Sequence, residues 1–136
     1  MDNTEAEFIA GAKRIFESFD EIKLVYLFGS TARGDRGAMS DYDFAVFVGE
    51  TNRREVERIR FLLTDELARL LRADKIDIVM LDIVESPELK YIIIREGKLI
   101  FEKEPFRLLF EPNVLNEYFD FQSMLKRHGL TKARAS

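Results

Sequence analysis

Cysteine is absent from the 136 residues, so no disulfide staples the fold and no thiolate can hold a metal. There is a single histidine, His128, at the end of an amphipathic segment. There it reads as a helix C-terminal cation and not as a catalytic group. No apolar run approaches the ~20 residues that a membrane span needs. The acidic opening Met1-Asp2-Asn3-Thr4-Glu5 has no apolar signal region, which leads us to expect a cytoplasmic protein. Basic residues are the minority, 21 against 25 acidic, and a net charge of −4 argues against a general nucleic-acid binder. Internal repeats and low-complexity tracts are missing as well. What remains is 46% apolar and 34% charged, enough for one folded domain with a real core.

The chemistry concentrates between Leu24 and Val48. Leu24-Val25-Tyr26-Leu27-Phe28 is a buried-strand pattern cut off by Gly29-Ser30, a tight turn. After ten residues rich in glycine and charge come Asp41-Tyr42-Asp43 and a second apolar run, Phe44 to Val48. Side chains alternate along a strand, so Asp41 and Asp43 share one side and Tyr42 takes the other. Neighbouring carboxylates repel each other, and a hard divalent cation such as Mg²⁺ relieves this while binding substrate phosphates. Gly29 lets a phosphate approach the backbone closely, and the Ser30 hydroxyl with nearby N–H groups can bind its oxygens. Asp-x-Asp alone occurs by chance in about half of chains this long. With Gly-Ser at one fixed spacing before it, the combination falls to about one chain in several hundred.

Around this stretch the periodicities predict alternating elements. Thr4 and Glu7 have the form of a capping box for a helix over 5–19. Strands are expected at 22–28 and 42–48, with a short helical turn at 30–35 whose N-terminus suits a phosphate. Asn52 and Glu55 repeat the capping pattern and open a helix over 53–72. Its apolar face would be Val56, Ile59, Phe61, Leu62, Leu63, Leu67, Leu70 and Leu71, with Arg53, Arg54, Arg58 and Arg60 as a solvated outer face. A strand over 76–81 contains Asp77, a carboxylate inside an apolar run that burial would make costly unless it is paired or on a metal. Ser86-Pro87 starts a helix that ends at Gly97. A short strand follows at 98–102. From Pro105 an aromatic, amphipathic arm begins, which Pro112 should interrupt, resuming near Asn113 and stopping before Gly129. Phe106, Phe110, Tyr118, Phe119 and Phe121 are more aromatics than a short arm needs, so some are expected at an interface. The organisation expected is a domain over 1–104, a helical arm over 105–129 and a disordered tail over 130–136.

The chain resembles the nucleotidyltransferase superfamily that includes DNA polymerase β. The resemblance rests on Gly29-Ser30, Asp41-x-Asp43 and the later strand Asp77, over about residues 22–102. The wording Phe-Gly-Ser-x-Ala-Arg-Gly and Ser-Asp-x-Asp-Phe is similar to that of the minimal nucleotidyltransferases, the antitoxins of HEPN/MNT toxin–antitoxin pairs. This resemblance implies an α/β (α+β) fold, a small mixed β-sheet flanked by helices. It implies that Asp41, Asp43 and Asp77 hold two Mg²⁺ ions, Asp77 also helping to deprotonate the attacking hydroxyl. Gly29 and Ser30 would hold the triphosphate of ATP, with Arg33 and Ser40 as further nucleotide contacts. The implied reaction transfers AMP from ATP to a tyrosine of a partner HEPN ribonuclease toxin, with which the chain would form a hetero-oligomer; alone, a homodimer is expected. Two rivals stand beside it: modification of a small molecule, as by aminoglycoside nucleotidyltransferases, and an antitoxin that acts by contact alone.

Overall fold

The computed structural model describes residues 3–29, 42–71 and 76–129. Its order is α1 (Asn3–Glu17), β1 (Leu24–Phe28), β2 (Tyr42–Phe47), α2 (Arg53–Leu71), β3 (Ile76–Met80), α3 (Pro87–Glu96), β4 (Lys98–Glu102) and α4 (Phe106–Arg127). The four strands form one mixed sheet in the order β3-β2-β1-β4. β1 is antiparallel to both β2 and β4, and β2 runs parallel to β3, with α2 as the crossover.

β1 is apolar at every position and buried on both faces from Leu24 to Leu27, so the sheet needs cover on each side. Alternation sorts the strands between two cores. Val25, Leu27, Phe44, Val46 and Met80 meet Phe16 of α1 and Ile59, Leu63 and Leu67 of α2. Leu24, Tyr26, Ala45 and Leu81 meet Ile93 of α3, with Phe106 and Phe110 of α4 packed beside them. Each large side chain buried this way contributes about 1.5–3 kcal/mol. α4 is tied to the sheet by a partly buried bond: the Tyr26 hydroxyl donates to Glu111 Oε2 at 2.6 Å.

Several expectations shift. α1 starts at Asn3, so Thr4 lies within its first turn and is not the N-cap. It ends at Glu17 because Ser18 and Phe19 close tighter turns onto Ile15 and Phe16, while the Ser18 hydroxyl donates to the Ile15 carbonyl at 2.6 Å. Asn52 does cap α2, its Oδ1 accepting from the Arg54 and Glu55 amides. Glu55 does not reach back; it pairs with Arg58, and Glu50 takes the Asn52 amide instead. Phe61 is 71% exposed, and Leu62 and Leu70 also face solvent. At 100° per residue Phe61 lies on the far side of the helix from Ile59. The outer arginines are solvated as expected, with Arg60 paired to Glu57 at 2.7 Å.

Pro112 does not interrupt α4, which is continuous across it. The proline removes a hydrogen bond to the Leu108 carbonyl, and Leu108 is 77% exposed, so water can satisfy that oxygen. Among the arm's aromatics, Phe110 packs on Phe47 with ring centroids 4.5 Å apart, and Tyr118 stacks on Tyr91 at 3.9 Å. Phe119 is exposed. His128 is the C-cap residue of α4, its N–H donating to the Met124 carbonyl. The tail over 130–136 and the turn over 30–35 lie outside the described residues. Among the described residues no helix is long and apolar enough to cross a membrane.

Candidate active site

Three sequence-predicted site residues come together at one end of the sheet. Phe28, the last residue of β1, forms a rung with Asp43, and Asp43 forms the next rung, across the parallel pair, with Asp77. Adjacent strands lie about 4.8 Å apart, so the two carboxylates are immediate neighbours. Alternation puts both on the face that carries Ala45 and Val79, the α3–α4 side. Tyr42 takes the opposite face, its ring stacked on Phe8 at 4.3 Å, as the strand period requires.

Gly29 follows directly, with φ +79°, a left-handed conformation that glycine adopts without strain. A Cβ there would lie 2.6 Å from Asp43 Oδ2. The turn lies against the Asp43 carboxylate, a constraint that stands beside the phosphate approach expected for this glycine. Only a residue without a side chain leaves Asp43 room in this position.

Asp77 is exposed at the start of β3, which corrects the picture of a carboxylate buried in an apolar run. No desolvation cost has to be met there, and among the described residues its link to the site is its rung with Asp43. Asp43 is half-buried. Two like charges this close repel by up to a few kcal/mol at the effective dielectric of a protein surface. The all-oxygen donor set suits a hard divalent cation, so the residues present fit Mg²⁺ or Mn²⁺. Asp41, Ser30, Arg33 and Ser40 lie outside the described residues, and no cluster of three metal-ligating residues occurs among the described ones.

One carboxylate that the sequence did not single out supports this geometry from the far end of the sheet. Asp82 accepts three backbone N–H groups, from Val48 at 2.9 Å, Gly49 at 2.7 Å and Glu50 at 3.0 Å. Burial pushes its carboxyl up, and the three amides pull the other way. The clamp locks the end of β2 to the end of β3. A slip of one residue would turn Asp77 to the wrong face, so register matters here. Nothing local in the sequence marks Asp82, whose partners lie more than thirty residues away.

By its fold this is a nucleotidyltransferase. The chain matches one in a toxin–antitoxin crystal structure with AMP-PNP, with a TM-score of 0.68 and 26% identity over 89% of this chain and 92% of that one. It matches with a TM-score of 0.64 a chain of the tri-AMPylated Shewanella oneidensis HEPN toxin in complex with MNT antitoxin, at 24% identity over 93% and 94% of the two chains, a likeness of fold. The chain belongs to the polymerase beta nucleotidyltransferase family, whose model matches residues 11–106. It is homologous to the protein adenylyltransferase MntA of Aphanizomenon flos-aquae (strain 2012/KM1/D3), 31% identical over 106 residues that span 74% of this chain and 70% of that protein.

Proposed function

We propose that this chain is a protein adenylyltransferase antitoxin, transferring AMP from ATP to a tyrosine hydroxyl of a HEPN ribonuclease toxin and so silencing it. The observation that carries this reading is the Gly29–Asp43–Asp77 juxtaposition in a homologue of an MntA adenylyltransferase.

In the reaction the phenolic oxygen bonds to the α-phosphorus, the bond from that phosphorus to the β-phosphate bridge breaks, and pyrophosphate leaves with the electron pair. Asp43 and Asp77, joined by Asp41, would hold two Mg²⁺ ions. When bound, these supply charge neutralisation at the triphosphate and lower the proton affinity of the attacking hydroxyl. Asp77, the exposed member of the pair, is open to solvent and is the carboxylate we assign to assist removal of the phenolic proton. The Gly29-Ser30 turn holds the triphosphate, with Arg33 and Ser40 as further nucleotide contacts. Transfer of this kind is positioning plus charge stabilisation, which carboxylates on a rigid sheet provide.

The test is to incubate the purified chain with ATP, Mg²⁺ and a HEPN toxin and to locate the product by mass spectrometry. AMP on a toxin tyrosine, absent without divalent cation, is the expected result. An unmodified toxin that is nonetheless inhibited would favour an antitoxin acting by contact.

A further inference from the structure

Gly97 joins α3 to β4 with φ −75° and ψ 164°, an extended backbone open to any residue. Freedom of backbone is therefore not what glycine contributes there. Space is. An ideal Cβ on residue 97 would lie 2.5 Å from the Ile93 carbonyl oxygen and 3.4 Å from the Leu27 carbonyl oxygen. The first is a clash with a main-chain atom, which cannot swing aside as the tip of a flexible side chain would; the second is ordinary van der Waals contact. The first ends α3 by accepting the Gly97 N–H at 2.8 Å. The second belongs to buried Leu27, which forms rungs with Phe44 on one side and Lys98 on the other. Ile93 is itself fully buried in the core that contains Leu24 and Tyr26. The end of α3 and the start of β4 thus meet where there is no room for a methyl group, with the end of β1 in contact beside them.

That meeting point is one rung from the carboxylates. Leu27 is followed by Phe28, the partner of Asp43, and then by Gly29, which abuts Asp43 Oδ2. The other end of β1 is held: Lys23 N–H donates to the Phe47 carbonyl, and Lys103 N–H to the Lys23 carbonyl. A methyl group at residue 97 must shift either the end of α3 or the start of β4, and a shift of β4 reaches Leu27 through its rung with Lys98. We infer that Gly97 is a positioning residue of the nucleotidyl-transfer site: by letting α3 close onto the Leu27–Lys98 rung, it holds the Phe28–Gly29 turn against Asp43. This rests on the reading of Asp43 and Asp77 as the cation-binding pair. Gly97 touches no reacting atom, and its influence passes through backbone.

The test is direct binding of Mn²⁺ together with α,β-methylene ATP, which cannot pass on its adenylyl group, measured by calorimetry on the full chain. Gly97→Ala should weaken this binding by about tenfold or more, as loss of a supporting contact to a metal ligand does. AMP transfer, assayed separately, should fall in step. Val56→Ala, which trims two buried methyl groups on the opposite face of the sheet, should lower Tm while leaving binding unchanged. Should Gly97→Ala not fold, an extra glycine inserted after Glu96 loosens the same joint without adding a side chain, and it too should weaken binding. Wild-type binding by Gly97→Ala, or by the insertion if that is the variant measured, overturns the inference, as does an equal loss in Val56→Ala. If wild type itself binds no Mn²⁺ with the analogue, the reading of the carboxylates fails first and the inference falls with it.

Discussion

Asp43 and Asp77 occupy one rung of the parallel β2–β3 ladder, on the same face of the sheet, with the glycine turn after β1 pressed against Asp43. Their proximity is a property of the backbone, since parallel register alone makes them neighbours. Asp43→Asn and Asp77→Asn should each reduce AMP transfer by about a hundredfold, since even the groups that merely support metal ligands are worth about 10–100-fold. Neither should unfold the protein. For the exposed Asp77, removing one of two repelling charges leaves Tm unchanged or slightly higher in the absence of divalent cation. Activity assays and thermal melts on the same preparations check both halves.

Gly29→Ala faces two obstacles. The left-handed backbone costs about 1–2 kcal/mol for a residue with a Cβ. The new carbon also meets Asp43 Oδ2 at 2.6 Å. Adding Asp43→Ala removes the second obstacle but not the first. Urea unfolding of the two single variants and the double should therefore show non-additivity of about 0.5–3 kcal/mol, the double being more stable than the sum predicts. Strict additivity would place the Asp43 carboxylate elsewhere.

The Tyr26–Glu111 bond predicts a pH dependence. Burial first, and then the hydrogen bond to Glu111, push the Tyr26 phenol far above its ordinary value. Its folded value therefore lies above its unfolded value of about 10, so the stability it contributes is complete below about pH 10 and is lost as pH rises beyond it. Tyr26→Phe should cost about 1.5–3 kcal/mol near neutral pH, the worth of a hydrogen bond to a charged group. The variant should lose less stability above about pH 10 than wild type does. Urea unfolding across this range gives both slopes.

The Asp82 clamp gives a fourth expectation. Asp82→Ala leaves the Val48, Gly49 and Glu50 amides without their common acceptor. We expect a loss of about 2–4 kcal/mol from these unmade bonds. Hydrogen exchange should show the β2–β3 ladder opening first at its Met80 end. Unchanged protection there would mean that the register is held by packing alone.

The parts legible in the sequence were those written in local pattern. Alternation placed Asp43 and Tyr42 on opposite faces, and Gly-Ser after an apolar run marked the end of β1. Ser86-Pro87 announced α3, with the Ser86 hydroxyl accepting the Leu89 amide at 3.1 Å. What escaped depends on tertiary partners. Asp77 looks buried in its run of apolar neighbours, yet it sits at a strand start open to solvent. Phe61 reads as core by composition, but helix geometry turns it outward. Pro112 reads as a break, and only the solvent exposure of Leu108 shows why the helix continues. Tyr26 and Glu111 are 85 residues apart in sequence, a separation at which no periodicity connects two polar groups.

The central claim is that carboxylates on the β2–β3 rung carry out a transfer that silences a partner. It is tested most directly by co-expressing the HEPN toxin with the Asp41→Asn/Asp43→Asn variant, purifying the complex and assaying its ribonuclease activity. The account predicts a complex that co-purifies as the wild type does, carries no AMP on the toxin and retains full ribonuclease activity. A double variant that blocks the ribonuclease as well as wild type would contradict it and leave contact alone as the mechanism.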